Sequence, residues 1–166
     1  MKTTTRGGLL ALAVVVGDQL TKSWAVSTLG DGHVIDVFWT LRLALGYNSG
    51  FAFSTGTGWG PWIGLAAIGI VVALSVTLHK AESSTARWAL SLIIGGAVGN
   101  IVDRLFREGG RMNGRVVDFI DFQWFPVFNI ADSAITVGGV LLVLSSLVST
   151  DSPSSADSEG DAESKR

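Results

Sequence analysis

Four long apolar stretches dominate the chain, separated by segments rich in polar residues and glycine. They run from about Gly7 to Val26, Trp59 to Leu78, Ala86 to Val102 and Phe128 to Val148. Each is near the ~20 residues that an α-helix needs to cross the hydrocarbon core of a bilayer. None alternates with the period of two expected of a barrel strand. The pattern predicts an all-α integral membrane protein of four transmembrane helices, with both ends on one side. A membrane domain over residues 1–149 would be followed by a disordered acidic tail, 150–166, whose Ser, Asp and Glu residues leave little to bury.

The first stretch admits a second reading. Lys2 and Arg6, then Leu9 to Val16, then Ala25-Val26-Ser27 have the order of a cleaved signal peptide. Asp18, Gln19, Thr21 and Lys22 interrupt the apolar run, which favours a retained helix.

Polar residues inside the apolar stretches are the next signal. A charge in the bilayer centre costs roughly 2.5–3.5 kcal/mol even on the lenient insertion scale, so it usually has a partner and a function. Asp18 and Lys22 lie four apart on one helical face and can pair. Asn100, Asp103 and Arg104 follow i, i+3, i+4 at the end of the third stretch. Asn129, Asp132, Ser133 and Thr136 follow i, i+3, i+4, i+7 at the start of the fourth. With alternating helix directions, all three stripes fall toward the same membrane face, together with Tyr47 to Ser54 between the first two helices. Gly95 and Gly99 form a small-xxx-small pattern that lets helices approach closely.

Singly, these residues have plain structural readings. Asp18 and Lys22 can be an internal ion pair, Asp103 and Arg104 a helix end at the headgroups, Asn129 an N-cap, and Asp121 a loop acid. Those readings leave Asp118 and Asp132 unexplained, two acids in apolar surroundings delivered to one level of the membrane. Two close carboxyls cannot both ionise, so one keeps a proton while the other is charged. Such a pair can activate water and protonate a leaving amine.

Composition narrows the class. Charged residues make up 16% of the 166, against roughly 25% in an average soluble protein. Mean hydropathy is +0.45. A net charge of -2 argues against a nucleic-acid partner. The chain has no cysteine and only His33 and His79, so thiolate and His-rich metal sites are not expected. A serine mechanism would lack a base, and the HExxH signature of a zinc peptidase is absent. A small ion- or proton-coupled transporter also uses intramembrane acids, and a membrane scaffold would need neither Asp118 nor Asp132.

Five ordered blocks carry a resemblance: DQLTK (Asp18 to Lys22), NSGFAFS (Asn48 to Ser54), GGAVGNIVDR (Gly95 to Arg104), VVDFIDF (Val116 to Phe122) and FNIADSAITVGG (Phe128 to Gly139). Together they resemble the lipoprotein signal peptidases (signal peptidase II). The resemblance implies an aspartyl endopeptidase of the bacterial inner membrane, with cytoplasmic termini and a site near the outer leaflet. Its fold would be four transmembrane helices with a small extracytoplasmic loop or β region between helices 1 and 2. It would remove the signal peptide from diacylglyceryl-modified prolipoproteins, just before the lipidated cysteine, without a cofactor or metal. The implied catalytic pair is Asp118 and Asp132. Asn48, Gly50, Asn100, Asp103, Arg104, Asn129 and Ala131 would bind substrate or support the pair, and Asp18 with Lys22 would be a structural polar pair. Prolipoproteins, membrane lipids and globomycin-type inhibitors would be the partners of a monomer. The arginine-rich stretch from Arg104 to Arg115 is denser than that mechanism requires, and a loop facing headgroups would use such arginines to meet lipid phosphates.

Overall fold

The computed structural model describes residues 3–49, 60–81, 83–107 and 110–150. Gly50, the rest of the block to Ser54, and the acidic tail from residue 151 lie outside that set.

Among the described residues, four helices are long and apolar enough to cross a membrane. They are α1 (Thr3–Leu29), α2 (Gly60–Lys80), α3 (Ser84–Phe106) and α4 (Ile130–Thr150). Each matches one of the apolar stretches and runs a few residues past one or both of its ends. Ser83 caps α3, accepting a hydrogen bond from the Ala86 N–H at 3.4 Å. Helix α3 is the hub, packed against α1, α2 and α4. Its glycines make this possible. A Cβ on Gly95 would lie 2.8 Å from the Ala11 carbonyl oxygen of α1, and one on Gly96 would collide with the backbone of Ala131 in α4.

The described residues also form three strands, β1 (Ile35–Phe38), β2 (Leu41–Asn48) and β3 (Val116–Asp121), in one antiparallel sheet of order β1-β2-β3. A β region between the first two helices was expected. The third strand was not, because residues 116–121 read as a loop. Val116, Val117, Phe119 and Ile120 are strong strand formers, and pairing with β2 supplies the backbone partners that a loop would lack. The sheet sits on the end of α1. Val117 and Phe119 join Ala25 and Leu29 in a buried apolar cluster, and Phe119 meets Trp24 edge to face at 6.3 Å. Side chains alternate along a strand, so Asp118 points to the face opposite Val117 and Phe119.

Candidate active site

Strand register brings the first acid to its neighbours. Asp118 pairs with Gly46 and Val116 with Asn48, so Asn48 stands two residues from the position opposite Asp118 and on the same face. The Asn48 side chain hydrogen-bonds the Asp118 carboxyl. After β3 the chain doubles back. Phe128 exchanges backbone bonds with Ile120, its N–H donating to Ile120 at 3.1 Å and its carbonyl accepting from Ile120 at 2.9 Å. An aromatic group of Phe122, Trp124, Phe125 and Phe128 packs this turn. The chain therefore enters α4 beside β3, and the residue that opens the helix lies next to Asp118.

That residue is Asn129, and it is the N-cap. Its Oδ1 accepts from the Asp132 N–H at 2.9 Å, while Asp132 Oδ2 accepts from the Asn129 N–H at 3.3 Å. This reciprocal pairing between N-cap and N3 is a capping box with an aspartate in the acidic position. The Asn129 amide group then donates to Asp118 Oδ1 at 2.6 Å, to the Val117 carbonyl at 3.3 Å and to Asn100 Oδ1 at 3.2 Å. One fully buried side chain thus touches both acids. Asn100 supports the second acid from α3, donating from Nδ2 to Asp132 Oδ1 at 2.8 Å.

Behind the pair lies a charged network with no solvent exposure at Asp18, Lys22 or Asp103. Lys22 Nζ is 2.8 Å from Asp18 Oδ2 and 2.9 Å from Asp103 Oδ2. Asp103 also takes the Arg107 Nε at 2.6 Å and the Val117 N–H at 3.1 Å, which ties α3 to β3. Asp103 is thus buried and paired rather than exposed at the end of α3. Asp18 Oδ1 accepts the Ala131 N–H at 3.0 Å, so α1 satisfies one of the open N–H groups at the start of α4. Ala131 is itself fully buried, and its small side chain lies where a Cβ on Gly99 would be 3.4 Å away.

A cavity of about 770 Å³ opens over this floor, its walls including Asn48, Asp118, Phe125, Val127, Asp132 and Thr136. A smaller one of about 330 Å³ lies toward α2 and α3 and shares Asn48 and Asp132, with Asn100 and Arg104 in its lining. Burial raises the Asp118 carboxyl from the usual carboxylate range to about 7, and the Asp132 charge adds to the rise. Hydrogen bonds from Asn129 and Asn48 and the charge of Lys22 oppose it. An acid that is half protonated near neutrality, beside a second acid, can hold and return a proton.

Asp118, Asp132, Asn48, Asn100, Asp103, Arg104, Asn129, Ala131, Asp18 and Lys22 therefore meet in one region of the structure. Asp121 does not belong there as a loop acid or as a site acid. It ends β3, buried, with its carboxylate 2.7 Å from the Arg42 guanidinium of β2. The arginines also divide. Arg107 is tied to Asp103, and Arg115 lies 5.0 Å over the Tyr47 ring, so these two are engaged within the protein. The sequence marks Gln19 only as a polar interruption of the first apolar run, yet it donates to Asp18, to the Gly99 carbonyl and to Asp103. Its place inside DQLTK, one residue from a buried acid, was the available signal.

Comparison with known proteins extends these observations. The model of the signal peptidase II family matches residues 10–148. The lipoprotein signal peptidase of Rhodococcus jostii is 40% identical over 141 residues, covering 84% of this chain and 71% of that one. The lipoprotein signal peptidase of Mycobacterium tuberculosis is 41% identical over 146 residues, covering 86% and 72%. Among solved structures, a bacterial membrane enzyme determined at 2.3 Å aligns with a TM-score of 0.78 and 30% identity over 93% of this chain and 95% of its own. Another at 1.9 Å aligns with a TM-score of 0.75 and 32% identity over 89% and 95%. A family match across all four helices agrees with the five sequence blocks, and this multi-pass membrane protein belongs to the signal peptidase II family of peptidases.

Proposed function

We propose that this protein is an aspartyl endopeptidase that removes the signal peptide from diacylglyceryl-modified bacterial prolipoproteins, cleaving just before the lipidated cysteine. The observation that carries this reading is Asn129, whose amide and backbone hydrogen-bond Asp118 and Asp132 at the floor of one large cavity. In the reaction the ionised member of the pair takes a proton from water as the water attacks the scissile carbonyl. The protonated member hydrogen-bonds the developing oxyanion. As the intermediate collapses and the C–N bond breaks, one of the pair's two protons passes to the leaving amine, which returns the pair to a single shared proton. The proton belongs to the pair, and no covalent intermediate is required. Asn48, Gly50, Asn100, Asp103, Arg104, Asn129 and Ala131 would bind substrate or support the acids. Residues 1–149 form the catalytic domain in this reading, acting as a monomer that globomycin-type peptides block.

The protein would lie in the inner membrane with both termini cytoplasmic and the pair near the outer leaflet. Lys2, Arg6, Lys80 and Arg87 support that orientation. Cysteines placed at Ser84 and Gly110 should then label from opposite sides of intact cells, and labelling of both by an impermeant reagent would overturn this topology.

The deciding assay uses purified protein and a prolipoprotein peptide with a diacylglyceryl cysteine. Cleavage on the amino side of that cysteine is expected, with globomycin inhibiting it. Folded protein that leaves the peptide intact would refute the reading.

A further inference from the structure

Asn100 stands between Lys22 and Asp132. A carboxamide has a donating and an accepting end of nearly the same shape, so its direction is set by what surrounds it. Here Oδ1 accepts from Lys22 Nζ at 2.8 Å and from Asn129 Nδ2 at 3.2 Å, while Nδ2 donates to Asp132 Oδ1 at 2.8 Å. An ammonium has three N–H donors and no acceptor. Lys22 aims one at Asp18, one at Asp103 and one at Asn100. Were the Asn100 amide turned over, its N–H groups would face the ammonium and its oxygen would face a carboxylate oxygen. Both contacts would be repulsive.

We infer that Lys22 is a positioning residue for the pair, acting through Asn100 by holding that amide with its N–H toward Asp132. This rests on reading Asp118 and Asp132 as the catalytic pair. The charge of Lys22 is largely met by two carboxylates under 3 Å away, so direction, rather than field, is its main contribution at Asp132. Asn129 is fixed in the same way by another donor, the backbone N–H of Asp132 at its Oδ1. Each catalytic acid thus receives an amide N–H on its Oδ1 from an asparagine whose oxygen is held elsewhere. A lysine 78 residues from Asn100 in sequence thereby acts on the reacting end of α4.

The test is a pH–activity profile of purified Asp18→Asn/Lys22→Gln protein with the diacylglyceryl peptide. Removing one acid and one base together keeps the buried cluster neutral, since Asp103 retains Arg107. Glutamine can offer Asn100 either a donor or an acceptor, so only the longer donation from Asn129 Nδ2, at 3.2 Å, still holds the amide oxygen away from Asp132. Losing a donor from a carboxylate disfavours its charged form. The acid limb of the profile should move to higher pH by about one unit, with plateau activity kept within a few-fold, as a hydrogen bond to a charged group is worth about that much. A role confined to folding would lower activity alike at every pH, and an unmoved limb overturns the inference. If the double variant does not fold, the unsubstituted protein decides by solid-state NMR in bilayers. The ¹⁵Nζ of Lys22 should lie nearer the Asn100 amide oxygen than its nitrogen, and the reverse order overturns the inference. Asp118→Asn and Asp132→Asn serve as controls. If those variants turn over normally, the catalytic pair is wrong, which is a separate failure.

Discussion

Helices α2 and α3 are of similar length, 21 and 23 residues, and both are apolar enough to span a bilayer. Their surroundings differ sharply. Helix α2 exposes Trp62, Leu65, Ile70, Val72 and Val76, each more than half accessible. Helix α3 buries Ala89, Ser91, Gly95, Gly96, Gly99, Asp103 and Arg104. In a soluble protein the more apolar helix would occupy the centre. In lipid the order reverses, because hydrocarbon solvates large apolar side chains as well as a protein interior does. The central place goes to the helix whose small residues permit close packing and whose polar residues have partners waiting. Function follows the same division, since α3 carries Asn100 and the charged network to the acids, whereas α2 brings Ile63, Ala67 and Ile70 to the wall of the smaller cavity.

The largest effect that distinguishes the two helices should come from Asp103→Ala. It leaves Lys22 and Arg107 short of a shared carboxylate and strips a partner from the Val117 N–H. Breaking a buried ion pair by removing one side costs about 3–5 kcal/mol. Yield of folded protein and resistance to denaturant should both collapse, and near-normal stability would show that the network is not needed. Glycines give a matched pair one step down. Gly96→Val in α3 must push against the Ala131 backbone and the Ile135 side chain, whereas Gly69 in α2 has nothing within 4 Å of its Cβ position. Overpacking costs about 1–3 kcal/mol, so Gly96→Val should lower the melting temperature by several degrees while Gly69→Val changes it little. Equal shifts would erase the contrast.

Much of α2 and α3 was legible in the sequence, and the reason is physical. Bilayer thickness fixes the length of a spanning helix, so four stretches of about 20 apolar residues could be counted without knowing their neighbours. The pairing of Asp18 with Lys22 was legible because i and i+4 share a helix face. Asp103 could be marked as costly, but its attachment to Lys22 crosses 81 residues of chain, and no local pattern encodes that. Strand β3 was missed for the same reason. Val116 to Asp121 is too short to announce itself, and its partner β2 lies some 70 residues earlier. Asn129 was read as an N-cap from its type. Its bonds to Asp118 and Asn100 depend on Phe128 folding back onto β3, which only the assembled structure displays.

A smaller effect sharpens the contrast from the site itself. Asp118 has a folded-state pKa near 7, above the ordinary carboxylate value of 3.8, chiefly through burial. The sign follows directly. Native protein holds that proton more tightly than unfolded protein, so this group favours folding at acid pH. Its contribution is lost as pH rises from about 4 through 7. Asp118→Asn should therefore make stability less dependent on pH across that window, by denaturant titration at pH 5 and pH 8, while substitutions in α2 leave the dependence unchanged. An unaltered dependence in Asp118→Asn would contradict the raised pKa.

If Asp118 and Asp132 act as one catalytic unit, their asparagine variants should fail alike in turnover of a diacylglyceryl prolipoprotein peptide. Asparagine keeps the shape and most hydrogen bonds but removes the shared proton and charge. Asp118→Asn, Asp132→Asn and the double variant, each verified as folded and inserted, should lose at least ~10³-fold in kcat. The double should be about as inactive as either single, because residues that act as a unit are strongly non-additive. Near-normal turnover by either folded single variant would mean that the two acids are not the catalytic pair.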